Sequence, residues 1–187
     1  GRITGIDIGR EYKGTIPNTA FMNKRYGRFG WSKGSLLNFC IGQGEILVTP
    51  IQVFNYVNLL ATKGNASSPH LVSSTKKDSE NEIPLSSQIW DRIIFDMGQV
   101  ISHAKGTGKN ADPAIQGAKI YGKTGTAENP HGEDHAWFIG WVEYEKKKFS
   151  IVVLLENSGS GGAVAAPLAK NVFDKIILGI NNSKQIS

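Results

Sequence analysis

Lys123, Thr124, Gly125 and Thr126 place a cation, two hydroxyls and a glycine in four consecutive positions at the end of an apolar stretch. These residue types suit a carboxylate. The hydroxyls and the ammonium are donors, and a glycine lets a ligand approach the backbone. A backbone N–H in such a strand can also face a reacting carbonyl and hold the negative charge that develops there. That is the chemistry of acyl transfer. The same letters satisfy a second pattern. Gly117-Ala-Lys-Ile-Tyr-Gly122-Lys123-Thr124 fits the phosphate-binding loop formula, which cradles a nucleotide. The bland alternative to both is an ordinary edge strand with an exposed Lys and Thr pair.

The surrounding elements decide between these chemistries. A phosphate loop needs a buried strand before its first glycine and a helix starting at its lysine. Before Gly117 stands Asn110-Ala-Asp-Pro-Ala-Ile-Gln116, which is not a buried strand. After Lys123 come Gly125, Pro130 and Gly132, which do not permit a helix. Lys119, Ile120 and Tyr121 occupy the positions where glycines would face phosphates. Glu156 at the end of an aliphatic strand only weakly imitates a metal-holding carboxylate. Nor do strands and helices alternate as a parallel nucleotide-binding sheet requires.

The pattern predicts an α+β fold instead, with three antiparallel strands over 119–127, 135–146 and 148–157. The middle strand carries Trp137, Ile139 and Trp141 on one face and Phe138, Val142 and Tyr144 on the other, so it is central and covered on two sides. Lys146-Lys147-Lys148 reads as a solvated hairpin turn. Helices are predicted over about 50–62, 86–103 and 165–178. Thr49 is the N-cap of the first, Pro50 suits its first position, Gln52 completes a capping box and Gly64 stops it. Ser86 or Ser87 caps the second, whose Trp90, Ile93, Ile94, Met97 and Ile101 form a core face. Gly106-Thr-Gly108 then breaks the chain. Residues 1–45 show little periodicity and read as an irregular segment with short elements, and 65–84 read as a polar loop.

Composition excludes several classes. At 187 residues, 40% hydrophobic and 20% charged, the chain can bury a core and is not a disordered polymer. The longest aliphatic run, Ile151 to Leu155, is far short of a membrane span. The net charge of +5 is scattered, which argues against a nucleic-acid partner. Cys40, the single cysteine, lies among Leu36, Leu37, Phe39 and Ile41 and reads as a buried small hydrophobe rather than a nucleophile. His131, Glu133, Asp134 and His135 straddle a turn and read as polar residues of a connection, so no metal or cofactor is expected. The chain begins at Gly1 rather than Met and reads as an excised piece.

Several ordered segments resemble the transpeptidase domain of bacterial class B penicillin-binding proteins. Thr4-Gly-Ile-Asp7 with Gly14 and Pro17 is similar to the stretch after that family's second motif. Ile41-Gly-Gln-Gly44 followed by Thr49-Pro-Ile-Gln52 matches a specific pair. Gly122-Lys-Thr-Gly-Thr-Ala-Glu128 resembles the third catalytic motif. His135-Ala-Trp-Phe-Ile-Gly-Trp141 and Gly161-Gly-Ala-Val-Ala-Ala-Pro167 resemble the strand and final helix that follow it. The wording of Gly42–Pro50 is nearest the elongation type, penicillin-binding protein 2, with the division type as the other candidate.

The resemblance implies a serine β-lactamase-like fold and a D,D-transpeptidase that cross-links peptidoglycan stem peptides and is acylated by β-lactams. Thr124 and Thr126 would hold the substrate carboxylate, the Thr126 N–H would supply one oxyanion donor, Lys123 would add positive potential, and Gly125 would let the strand approach the ligand. It further implies the periplasmic face of the inner membrane, with a glycosyltransferase and cell-elongation proteins as partners.

The family also needs a Ser-x-x-Lys nucleophile motif and a Ser-x-Asn motif. Ser73-Ser-Thr-Lys76 and Ser79-Glu-Asn81 fit the letters, but they are almost contiguous, lie in a polar stretch and follow rather than precede Gly42-Gln-Gly44. Both are set aside. The whole of 1–187 is therefore expected to be a partial transpeptidase domain that is inactive alone and open to self-association through an uncovered face. A non-catalytic β-lactam or peptide sensor is the reading from another class.

Overall fold

The computed structural model describes residues 1–72 and 81–185. The decoy serine motifs, Ser73-Ser-Thr-Lys76 and the Ser79-Glu80 part of the second, lie outside the described residues.

Five α-helices and a three-stranded antiparallel sheet make up most of the described chain. The sheet runs β3 (Lys119–Ala127), β4 (His135–Tyr144), β5 (Lys147–Leu155), with β4 central. Glu145 and Lys146, both with φ in the left-handed region, form the two-residue turn between β4 and β5. The strands thus end earlier than the expected 146 and begin earlier than the expected 148. Lys148 belongs to a strand and not to a solvated turn. Its ammonium donates to the Ala61 carbonyl at 2.9 Å and lies 2.9 Å from Glu143 Oε1.

β4 is covered on both faces because successive residues, which point to opposite faces, are apolar. Phe138 and Val142 face α5 (Ala166–Gln185), where Ala169, Phe173 and Ile177 are fully buried. Trp141 faces Val57 and Leu60 of α3 (Pro50–Ala61) and Trp90 and Met97 of α4 (Ser87–Ser102). Tyr121 stacks on Trp141 with ring centroids 4.9 Å apart. Trp141 has no solvent exposure, and truncating such a residue to Ala costs about 3–5 kcal/mol.

α3 starts as its sequence requires. Thr49 Oγ1 accepts from the Gln52 N–H at 3.3 Å, and Gln52 Oε1 accepts from the Thr49 N–H at 2.8 Å. The same Gln52 amide donates to the carbonyls of Arg2 and Lys13 at 2.6 and 2.9 Å, fastening the first residues to the helix. Ser86 stands at the N-cap of α4. A π-turn, Gly161–Ala165, precedes α5, which runs on past the expected end at 178.

The segment expected to be irregular with short elements holds two short helices, α1 (Thr19–Tyr26) and α2 (Lys33–Cys40). Asn18 caps α1 by accepting from the Phe21 N–H, and Ser32 caps α2 by accepting from the Gly34 N–H. Neither helix has an apolar stripe, because only Met22 of the two is buried. Cys40 is exposed at the end of α2, contrary to the expected burial, because its apolar neighbours Leu36, Leu37 and Ile41 are exposed as well. Within the stretch expected to be loop, β1 (Asn65–Ala66) and β2 (Asn81–Glu82) pair as a short antiparallel ladder.

Candidate active site

β3 carries Lys123, Thr124, Gly125 and Thr126 along the edge of the sheet away from β5. The period of two puts Thr124 and Thr126 on one face, opposite Phe138 and Ala136, and Lys123 and Gly125 on the other, opposite Ile139 and Trp137. The two hydroxyl residues are therefore about 7 Å apart along one face. Thr124 is buried and its Oγ1 lies 2.7 Å from Thr107 Oγ1. Thr126 is exposed. Lys123 is exposed at the strand, and its ammonium donates to the Thr124 carbonyl at 2.6 Å.

Gln43 reaches this strand from the loop after α2. Its Nε2 donates to the Thr126 carbonyl at 3.0 Å. A strand residue projects its N–H and C=O to the same side. The Thr126 N–H therefore faces the same open edge, where an oxyanion could meet it. A Cβ on Gly125 would stand 3.3 Å from that of Trp137, so a larger residue would press on the tryptophan.

The Gln43 loop is itself braced. Gly42 and Gly44 adopt φ of 79° and 75°, which bends the chain back on α2. The Gln43 N–H donates to the Asn38 carbonyl at 2.9 Å. Glu45 accepts from the Tyr26 hydroxyl and pairs with Arg25 Nε at 3.2 Å, tying the loop to α1. A cleft of about 710 Å³ runs between this loop and β3, with Cys40, Ile41, Gln43 and Val53 facing Lys123–Thr126. A cleft of similar size, about 730 Å³, between the β4–β5 turn and α5 holds none of the motif residues.

The inner side of the strand is set by the π-turn. A Cβ on Gly161 would lie 2.1 Å from the Trp137 carbonyl oxygen and 2.4 Å from that of Gly125, so only glycine lets this segment rest on β3 and β4. Two residues upstream of Lys123, burial and then the Glu143 carboxylate raise the Tyr121 phenol above its ordinary value.

Sequence reasoning found the motif strand but assigned no contact to Gln43, Thr107 or Gly161. Each stands in a glycine-bracketed run, Gly42-Gln-Gly44, Gly106-Thr-Gly108 or Gly159-Ser-Gly-Gly162, a local signal for a residue presented at a tight turn. His135 and Asn129 brace the β3–β4 connection through Asn157. His135 Nδ1 accepts from the Asn157 N–H at 3.0 Å, and the Asn129 amide donates to Asn157 Oδ1 at 2.6 Å. Among the described residues, no three His, Cys, Asp or Glu side chains group as metal ligands.

Solved structures similar to this chain include penicillin-binding proteins. Penicillin-binding protein 2 of Pseudomonas aeruginosa, crystallised with WCK 5153, superposes with a TM-score of 0.78 at 33% identity, covering 90% of this chain and 38% of that one. The Helicobacter pylori protein in complex with MreC superposes at 0.75 with 30% identity, covering 93% of this chain and 33% of that one. This chain belongs to the penicillin binding protein transpeptidase domain family, whose pattern matches residues 1–174. The peptidoglycan D,D-transpeptidase MrdA of Haemophilus influenzae is 33% identical over 93% of this chain, and that of Escherichia coli 30% identical over 98%. The chain spans 30% and 32% of the length of those two relatives.

Proposed function

We propose that these residues form the carboxylate-recognition wall of a peptidoglycan D,D-transpeptidase of the elongation type. The observation that carries this is the placement of Lys123–Thr126 on an open sheet edge, with the Thr126 backbone turned outward to Gln43. The donor stem peptide lays its terminal carboxylate against the Thr124 and Thr126 hydroxyls, with Lys123 supplying positive charge. The scissile carbonyl then lies at the Thr126 N–H. A serine from a segment outside residues 1–187 attacks that carbonyl carbon, the amide C–N bond breaks, and D-Ala leaves carrying the proton. An amine of a neighbouring strand takes the acyl group and restores the serine. A β-lactam enters by its own carboxylate and amide and remains attached. Loss of one oxyanion donor raises such a barrier by about 3–4 kcal/mol.

The same reading places the intact protein at the periplasmic face of the inner membrane, working with a glycosyltransferase and an elongation scaffold. The Helicobacter pylori relative solved in complex with MreC supports that last partner.

Labelling of the full-length protein with a fluorescent penicillin, followed by peptide mapping, tests the proposal. The expected label sits on a serine of a Ser-x-x-Lys motif outside these residues, and the 187-residue chain alone takes none. A label on Ser73, or no label on the full-length protein, overturns it.

A further inference from the structure

Thr107 lies in the turn after α4, and nothing in the motif strand itself calls for it. Its hydroxyl nevertheless meets that of Thr124, the buried hydroxyl of the motif, at 2.7 Å. The turn that presents it has little room to move. The Gly106 N–H donates to the His103 carbonyl at 2.8 Å and the Gly108 N–H to the Val100 carbonyl at 3.0 Å. A Cβ on Gly106 would lie 2.3 Å from the Val100 carbonyl oxygen. Across the contact, a Cβ on Gly162 would lie 2.7 Å from the Thr107 carbonyl oxygen. Asn110 Nδ2 donates to the Gly162 carbonyl at 3.1 Å and locks the two segments together.

A hydroxyl has one proton to donate and two lone pairs to accept with. An ionised carboxylate only accepts. If Thr124 gives its proton to Thr107, it has none for a ligand carboxylate. If Thr107 gives its proton to Thr124, the Thr124 proton is released toward the ligand, and each bond of the chain polarises the next. We infer that Thr107 is a positioning residue for substrate recognition: its hydroxyl donates to Thr124 Oγ1 and turns the Thr124 proton toward the substrate carboxylate. The role rests on the transpeptidase function proposed above. It serves the carboxylate end of the ligand and leaves the scissile carbonyl untouched.

The test compares acylation rates of the full-length protein by benzylpenicillin and by its methyl ester, in wild type and in Thr107→Val, Thr107→Ala and Thr107→Ser. Thr107→Val and Thr107→Ala are expected to slow the free acid on the order of tenfold and the ester by less than about twofold, since one hydrogen bond to a charged group is lost. Thr107→Ser restores the wild-type ratio. A ratio unchanged in both Thr107→Val and Thr107→Ala, whether neither ligand or both are slowed, overturns the inference while leaving the transpeptidase function standing. Absence of any acylation of the wild-type protein removes that function and this role together, before a variant is compared.

Discussion

Gln43 and Thr126 stand 83 residues apart in the chain and are joined by one 3.0 Å hydrogen bond from a side-chain amide to a strand carbonyl. The bond links the loop after α2 to the edge of β3 and orients the backbone that faces the cleft. Gln43→Ala is expected to lower global stability by no more than about 1 kcal/mol, the net worth of an ordinary hydrogen bond. The local effect is larger. Amide exchange at Gly42 and Gln43 and at Ala127, whose N–H shares a peptide unit with the Thr126 carbonyl, rises, and penicillin acylation of the full-length protein slows about tenfold through misplacement of the strand. Unchanged exchange at both segments would show that the loop and strand hold their places without the bond.

Gly161 tests the fit of the π-turn to the sheet. A methyl group there collides with two carbonyl oxygens, at 2.1 and 2.4 Å. Gly161→Ala should destabilise the chain by about 1–3 kcal/mol or more, the cost of overpacking against backbone that has nowhere to shift. Urea unfolding reads this directly. A midpoint equal to that of the wild type would mean that the turn rides freely over β3 and β4.

Asp7 links the amino-terminal stretch to residues beyond β1. Its carboxylate accepts from the Val72 N–H at 2.9 Å and from the Leu71 N–H at 2.6 Å, and these bonds hold its pKa below the ordinary aspartate value. The folded pKa is the lowered one. The contact is therefore at full strength above the unfolded value of about 3.9 and is lost as pH falls through the folded value. In an NMR titration, the Leu71 and Val72 amide shifts should move with the Asp7 carboxyl, with a midpoint below that of a free aspartate. A midpoint at or above the free value would contradict the contact.

The amino-terminal third exposes a broad apolar surface. Phe29 is 93% exposed, Ile41 74% and Leu37 71%. A face of this kind on an isolated chain invites a second copy. Light scattering of the 187-residue chain should show mass rising with concentration, and Leu37→Lys should reduce it. A monodisperse monomer across the range would count against self-association.

Much of this architecture was legible in the sequence where local chemistry and tertiary packing agree. Thr49, Pro50 and Gln52 announced α3 because a capping box is a local device and the helix behind it packs by its apolar face. Trp141 and Phe138 announced a doubly covered strand because apolar residues stand on both faces of β4, and a nearly continuous apolar run is stable only when both faces are buried. α1 and α2 escaped because their caps, Asn18 and Ser32, precede residues with no apolar stripe. Cys40 departs from expectation for a related reason: an apolar neighbourhood in sequence does not fix burial in space. At the site, Lys123–Thr126 was visible as four letters, but Thr107 and Gln43 join it only through turns that bring distant residues together, and spacing does not encode that.

The order in which these parts assemble follows from the two-residue connection between β4 and β5. A hairpin closed by Glu145 and Lys146 forms on the scale of about 1–10 μs. The Gln43 contact must close a loop of 83 residues, and that entropy is met only after the hairpin and its helices are in place. The Gln43 brace on the edge of β3 is then expected to close after the sheet on which it rests. Mild destabilisation is expected to free that loop while the hairpin still stands.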